Sequence, residues 1–122
     1  MAKRVEELAV WRLGNELREK VHAITGNPPI SDDFRFCNQT RDAASSVTRN
    51  IAEGFGRYRH KEFAQFLSIA RGSVFELADQ LRDGVSRDYW SAERVAEMTA
   101  LCHKTISALT HLIRYLKTHP DI

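Results

Sequence analysis

A chain of 122 residues, 43% hydrophobic and 28% charged, with three prolines and six glycines, has the makeup of one globular domain spanning 1–122. Its 18 Lys and Arg against 16 Asp and Glu leave +2, too mild for a dedicated polycation, so charge placement must carry any nucleic-acid argument. No apolar run approaches the roughly 20 residues that span a bilayer, and Glu6 and Glu7 stand where a signal peptide needs an apolar core. Both points favour a soluble, cytoplasmic protein without membrane contact.

The apolar spacing predicts four helices. The first runs from about Val5 to Ile24 with Val10, Leu13, Leu17, Val21 and Ile24 inward, and Thr25-Gly26-Asn27-Pro28-Pro29 ends it. Ser31, Asp32 or Asp33 can cap the second, whose seam is Cys37, Thr40, Ala44, Val47, Ile51 and Gly54. Gly54-Phe55-Gly56 supplies a break. The third occupies about Arg59 to Gly84, with Phe63, Leu67, Ala70, Val74, Leu77 and Leu81 inward. Ser91 caps the fourth, whose stripe is Val95, Met98, Cys102, Thr105, Leu109, Leu112 and Leu116, until His119-Pro120 stops it. No stretch alternates as a strand does. The fold class is all-α, an antiparallel up-down-up-down four-helix bundle.

With the second turn centred near Arg57, Ala43-Ala44-Ser45-Ser46 falls opposite Ala70-Arg71-Gly72-Ser73. Small residues at matched height predict a close helix approach, with Ala44 against Gly72 and Ser73. Cys37 and Cys102 lie on core stripes and read as buried reduced thiols; whether they are neighbours is open. Trp11, Phe34, Phe36, Tyr89 and Trp90 fall near helix ends or off the seams. They either plug the bundle ends or face another subunit.

Further residues carry a resemblance. Leu8-Ala9-Val10-Trp11, Glu16-Leu17, Gln39, Ser46 through Gly54, Arg57, Lys61-Glu62-Phe63, Phe66-Leu67, Ile69-Ala70 and Gly72-Ser73 resemble the four-helix-bundle family of 23S rRNA intervening-sequence proteins. The resemblance implies an up-down bundle assembled as a homopentameric ring. It also extends to the accessory protein of diversity-generating retroelements, which contacts a reverse transcriptase and nucleic acid. Where similar chains often place a serine or threonine cap before Lys-Glu-Phe, this one has Arg59, so a cap energy of about 1 kcal/mol has to come from elsewhere.

Arg49, Arg57, Arg59, His60 and Lys61 bracket the second turn; from 49 to 61 there are four positive charges and one negative. Tyr58 among them has the chemistry to stack on a base while the cations meet phosphates. The opposing reading is a solvated turn paired with Glu53 and Glu62. Asn50 and Glu53 share one face, within reach of Arg49 and Arg57, and suggest a structural network. Glu19-x-x-His22 occurs once, whereas a di-iron bundle needs that element twice, so neither metal nor cofactor is expected. Nucleophile-elbow and phosphate-loop patterns are missing, and no catalytic residue is assigned. The sequence therefore favours a non-enzymatic oligomeric scaffold presenting a basic rim to RNA, DNA or a nucleic-acid enzyme. The alternative is a purely structural or protein-binding module.

Overall fold

The computed structural model describes residues 2–121 and consists of α1 (Ala9–Thr25), α2 (Phe34–Phe55), α3 (His60–Ser86) and α4 (Ala96–Thr118). Single turns of 3-10 helix at Val5–Glu7 and Ile30–Asp32 precede α1 and α2, and no strand occurs among the described residues. Each helix packs along its neighbour in sequence, and α1 meets α4 more sparsely to close the ring. Short joints between packed consecutive helices make this an up-down-up-down four-helix bundle.

Local chemistry sets the boundaries. Leu8 has extended backbone (φ −76°, ψ 132°), so α1 begins four residues later than the apolar spacing suggests. Gly26 stays right-handed at φ −83°; the halt of α1 therefore falls to the prolines that follow, not to a left-handed glycine. Of the three candidate caps for α2, Asp33 serves, its carboxylate accepting from the Phe36 N–H at 3.2 Å. Ser91 Oγ accepts from the Arg94 N–H at 3.0 Å, but it caps an irregular turn, and α4 starts only at Ala96.

The predicted seams are buried. Leu17, Val21, Ala44, Val47, Ile51, Leu67, Ala70, Val74, Leu77, Leu81, Cys102 and Leu109 are sealed from solvent, each large aliphatic side chain contributing about 1.5–3 kcal/mol. Three helices depart in the same way. Gly14 and Thr25 are buried on α1 where Leu13 and Ile24 are only half-buried, Ala64 is buried on α3 where Phe63 is half-buried, and Ile113 displaces Leu112 on α4. A straight helix drifts about 20° per heptad from a strict seven-residue repeat, and the inward face moves with it.

The α2–α3 pair is antiparallel, with Thr40 meeting Gln80, Ser46 meeting Ser73, and Gly54 meeting Phe63 and Phe66. These pairs lie about one helical turn beyond the expected register. Every Cα–Cβ bond tilts toward its helix N-terminus, so side chains lean away from the connecting turn on α2 and toward it on α3. Gly72 consequently does not touch α2. It is exposed, and a Cβ built there would meet nothing within 4 Å, which overturns the expected contact with Ala44. Ser73 carries the contact instead. The tight glycine is Gly54, whose added Cβ would lie 2.7 Å from Phe66 Cβ and 2.9 Å from Phe63 Cδ1.

At the opposite end, Phe36, Tyr89 and Trp90 form an aromatic plug, with the Phe36 ring 5.1 Å from that of Tyr89 and 5.7 Å from that of Trp90. Trp90 lies against Gly84 and donates its indole N–H to the Leu81 carbonyl at 2.8 Å. Arg87 sits 5.1 Å over the Phe36 ring and 3.2 Å from Asp33, which also accepts from the Tyr89 hydroxyl. Of the off-seam aromatics, these three plug the bundle end, Trp11 is half-buried, and Phe34 is exposed. Cys37 and Cys102 are free and buried; burial pushes the Cys102 thiol up to about 12.

Gly54→Ala should cost about 1–3 kcal/mol by overfilling the contact. Gly72→Ala should instead stabilise by about 0.5–1 kcal/mol, since the methyl enters open space and helix propensity improves. Thermal melts of both variants check this, and equal shifts would refute the packing. The Tyr89 hydroxyl, the Phe36 N–H and the Arg87 charge hold the Asp33 carboxyl below its ordinary value. A lowered folded-state pKa gives stability that is present above the unfolded value, near 3.8, and is lost as pH falls through the folded one. Asn caps as well as Asp, so Asp33→Asn should melt below the parent at pH 7, with the gap narrowing as pH falls below 3.8. A gap that is constant with pH would exclude the charge.

Candidate nucleic-acid interface

Gly56-Arg57-Tyr58-Arg59 joins α2 to α3. The Gly56 N–H still reaches the Ala52 carbonyl and the Arg57 N–H that of Gly54, each at 3.1 Å, so the helix unwinds over these residues. Gly56 keeps φ −70°, and the reversal falls on Tyr58 at φ 60°. Left-handed backbone costs a non-glycine residue about 1–2 kcal/mol. The Tyr58 ring is 86% exposed, so packing within the subunit does little to offset that cost. The expected glycine break is thus a tyrosine turn, because Gly54 is committed to the interior.

The predicted cations have distinct surroundings. Arg57 lies 3.6 Å from Glu53 and 3.8 Å from Glu62, with its guanidinium 5.2 Å over the Phe66 ring, and so clasps the end of α2 to the start of α3. Arg49 lies on the shaft of α2, about 9 Å from its last residue along the axis, and pairs with Asp42 at 3.8 Å, not with Glu53. Arg59 and Lys61 are exposed, and among the described residues neither has a carboxylate within ion-pair distance. The contiguous surface is therefore Tyr58, Arg59 and Lys61, with Arg57 compensated beside them and Arg49 apart.

The Asn50–Glu53 network divides. Glu53 is exposed and serves only the Arg57 clasp. Asn50 Nδ2 donates to the Ser46 carbonyl at 2.8 Å and to Ser46 Oγ at 3.0 Å. Ser46 Oγ lies 2.7 Å from Ser73 Oγ, which donates to the Ile69 carbonyl at 3.2 Å. Since Ser73 spends its proton on Ile69, Ser46 must donate to Ser73. The relay then runs in one direction from α2 to α3.

His60 is tied down from a distance. Its backbone N–H donates to both Asp121 carboxylate oxygens, at 3.2 and 3.1 Å, and its Nδ1 bonds the His119 carbonyl. A carbonyl only accepts, so Nδ1 carries the proton. Asp121 thereby provides the α3 cap that Arg59 lacks. A cavity of about 700 Å³ between α3 and α4 opens beside it, lined by Lys61, Ala64, Ile69, Leu116, Lys117 and Asp121. Sequence reasoning treated His119-Pro120 as a helix stop and passed over Asp121. The available signal was an acidic residue just past α4, at the bundle end where α3 starts without a cap.

Residues 6–111 match the family model described as 23S rRNA-intervening sequence protein. The chain belongs to that family. No curated protein gives a significant match. The family match takes in the whole α2–α3 hairpin, including the Asn50–Ser46–Ser73 relay and the Tyr58 turn, and ends before His119 and Asp121. No helix of the described residues is long and apolar enough to cross a membrane, and no group of three or more His, Cys, Asp or Glu gathers there as a metal site.

Replacing Tyr58 with glycine should stabilise the protein by about 1 kcal/mol, because glycine adopts positive φ without strain. Chemical denaturation measures this, and a destabilised Tyr58→Gly variant would show that the ring packs.

Proposed function

We propose that the protein is a non-enzymatic cytoplasmic scaffold that assembles with copies of itself and presents its α2–α3 tip to RNA, DNA or an enzyme that acts on them. The observation that carries this reading is Tyr58, an 86% exposed aromatic held at φ 60° between cationic neighbours. Folding gains nothing from a tyrosine there, whereas a strained and exposed side chain suits a contact surface. Its ring stacks on a base of any sequence, and Arg59 and Lys61, which follow it in the chain, neutralise phosphates. The family's name, tied to 23S rRNA, supports an RNA-related setting. A ring of five copies, as family resemblance suggests, would gather five tips on one rim and multiply a weak contact by avidity.

A second reading, a protein-binding module without nucleic acid, is favoured by Ile69 and Phe75, which stand 52% and 58% exposed on α3. The two differ in their response to salt. Two phosphates neutralised per tip on a single strand predict about a sevenfold loss of affinity between about 50 and 200 mM salt. Arg59→Glu combined with Lys61→Glu should abolish retention of single-stranded RNA while leaving the melting temperature near that of the parent. Fluorescence anisotropy with labelled RNA tests both. Parent protein that fails to bind at 50 mM salt, or a double variant that binds equally well, would leave the protein-binding reading.

A further inference from the structure

We infer that the outward face of α3 packs against the same face of a second copy, antiparallel and about a two-fold axis through Gly72. The inference rests on the self-assembly proposed above and names a surface that carries it. α3 bears two stripes of heptad spacing. One is the core seam; the other, on the opposite side of the helix, runs Lys61, Gln65, Ser68, Gly72, Phe75 and Asp79 in alternating steps of four and three. Ser68 is half-buried and the other five are exposed. Among the described residues α3 packs on α2 and α4, and neither covers this stripe. Its middle is apolar. Phe75 is 58% exposed, and Ile69, 52% exposed, stands three residues before Gly72 on the other flank. A Cβ added at Gly72 would meet nothing within 4 Å, so a notch open to solvent separates the two side chains.

The occupant is a second copy because the stripe complements itself when reversed. Rotation about an axis through Gly72 brings residues equally far before and after it to the same height. Gln65 and Asp79, each about 10 Å from Gly72 along the helix, then face each other twice, an amide donor against a carboxylate. Lys61 and Asp83, equally spaced further out, also meet twice with opposite charge. Ile69 and Phe75 share a height but lie on opposite flanks, so they pack side by side across the notch without collision. A parallel copy would instead set Asp79 against Asp79 and Lys61 against Lys61. The charges are open to such pairing. Among the described residues Lys61 has no carboxylate within ion-pair distance. Asp79 and Asp83 bond Arg82 and Arg87 of their own helix, yet their side chains stay 72% and 40% exposed. Opposed helix dipoles favour the same direction, helices cross at about 20° in bundle-like packing, and a two-fold contact closes at two copies.

Light scattering over a dilution series reads the contact. Phe75→Asp places two carboxylates beside the axis and should halve the mass of the parent's assembly, with helix content by circular dichroism unchanged. Gln65→Glu sets a like charge against Asp79 at two places and should weaken the pairing about fivefold at low salt. Adding Asp79→Lys turns both into opposite-charge pairs and should restore at least the parent's strength, a rescue that depends on this register. An assembled parent whose mass survives Phe75→Asp, or a double variant weaker than Gln65→Glu alone, overturns the contact and leaves self-assembly to another face. A parent that stays monomeric throughout the series overturns the contact and the self-assembly together.

Discussion

The contact between α2 and α3 governs the rest of this molecule. It combines two apolar seams, a half-buried hydroxyl relay from Asn50 through Ser46 to Ser73, and a buried polar pair in which Gln80 donates to Thr40 at 2.9 Å. Apolar burial supplies the energy, but it is non-directional and would tolerate neighbouring registers. The buried Gln80–Thr40 pair does not: a slip of one turn would leave its donor and acceptor unsatisfied, at about 1–3 kcal/mol each. Gly54 adds a steric lock, since any side chain there would enter Phe63 and Phe66. Register on the shaft fixes where the connecting turn falls and which residues crown it.

The tip separates into parts the fold requires and parts it does not. Arg57 is required, because it bridges Glu53 and Glu62 across the turn and covers Phe66. Asp121 is required in a different sense, satisfying the first N–H of α3 where Arg59 cannot. Tyr58, Arg59 and Lys61 remain without such duties. One is strained and all three are exposed. Surfaces left over after stability has been satisfied are where recognition is built, and this gives the proposed contact a narrower footprint than the run of cations in the sequence.

That run illustrates how far charge can be read along a chain. Arg49 and Arg57 look equivalent to Arg59 in one dimension, each close to Glu53. In three dimensions Arg49 turns to Asp42 and Arg57 is compensated twice, because helical spacing decides which carboxylate each side chain meets. The aromatic plug teaches the converse. Phe36, Tyr89 and Trp90 looked off-seam only because a heptad stripe describes the shaft of a bundle and not its ends, where a ring must cap the core.

Apolar periodicity alone determined the four helices, their order and most of the core, because burying a continuous stripe on each helix is the strongest demand the chain makes. The small residues at 43–46 and 70–73 likewise announced a close approach. Which of them touch was decided in space: side-chain lean moved the pairing by about one turn, gave the contact to Ser73 and left Gly72 in solvent. The carboxylate over His60 was also a tertiary outcome. Nothing local to residue 121 or residue 60 specifies their meeting; it follows from α3 beginning and α4 ending at the same end of an antiparallel bundle.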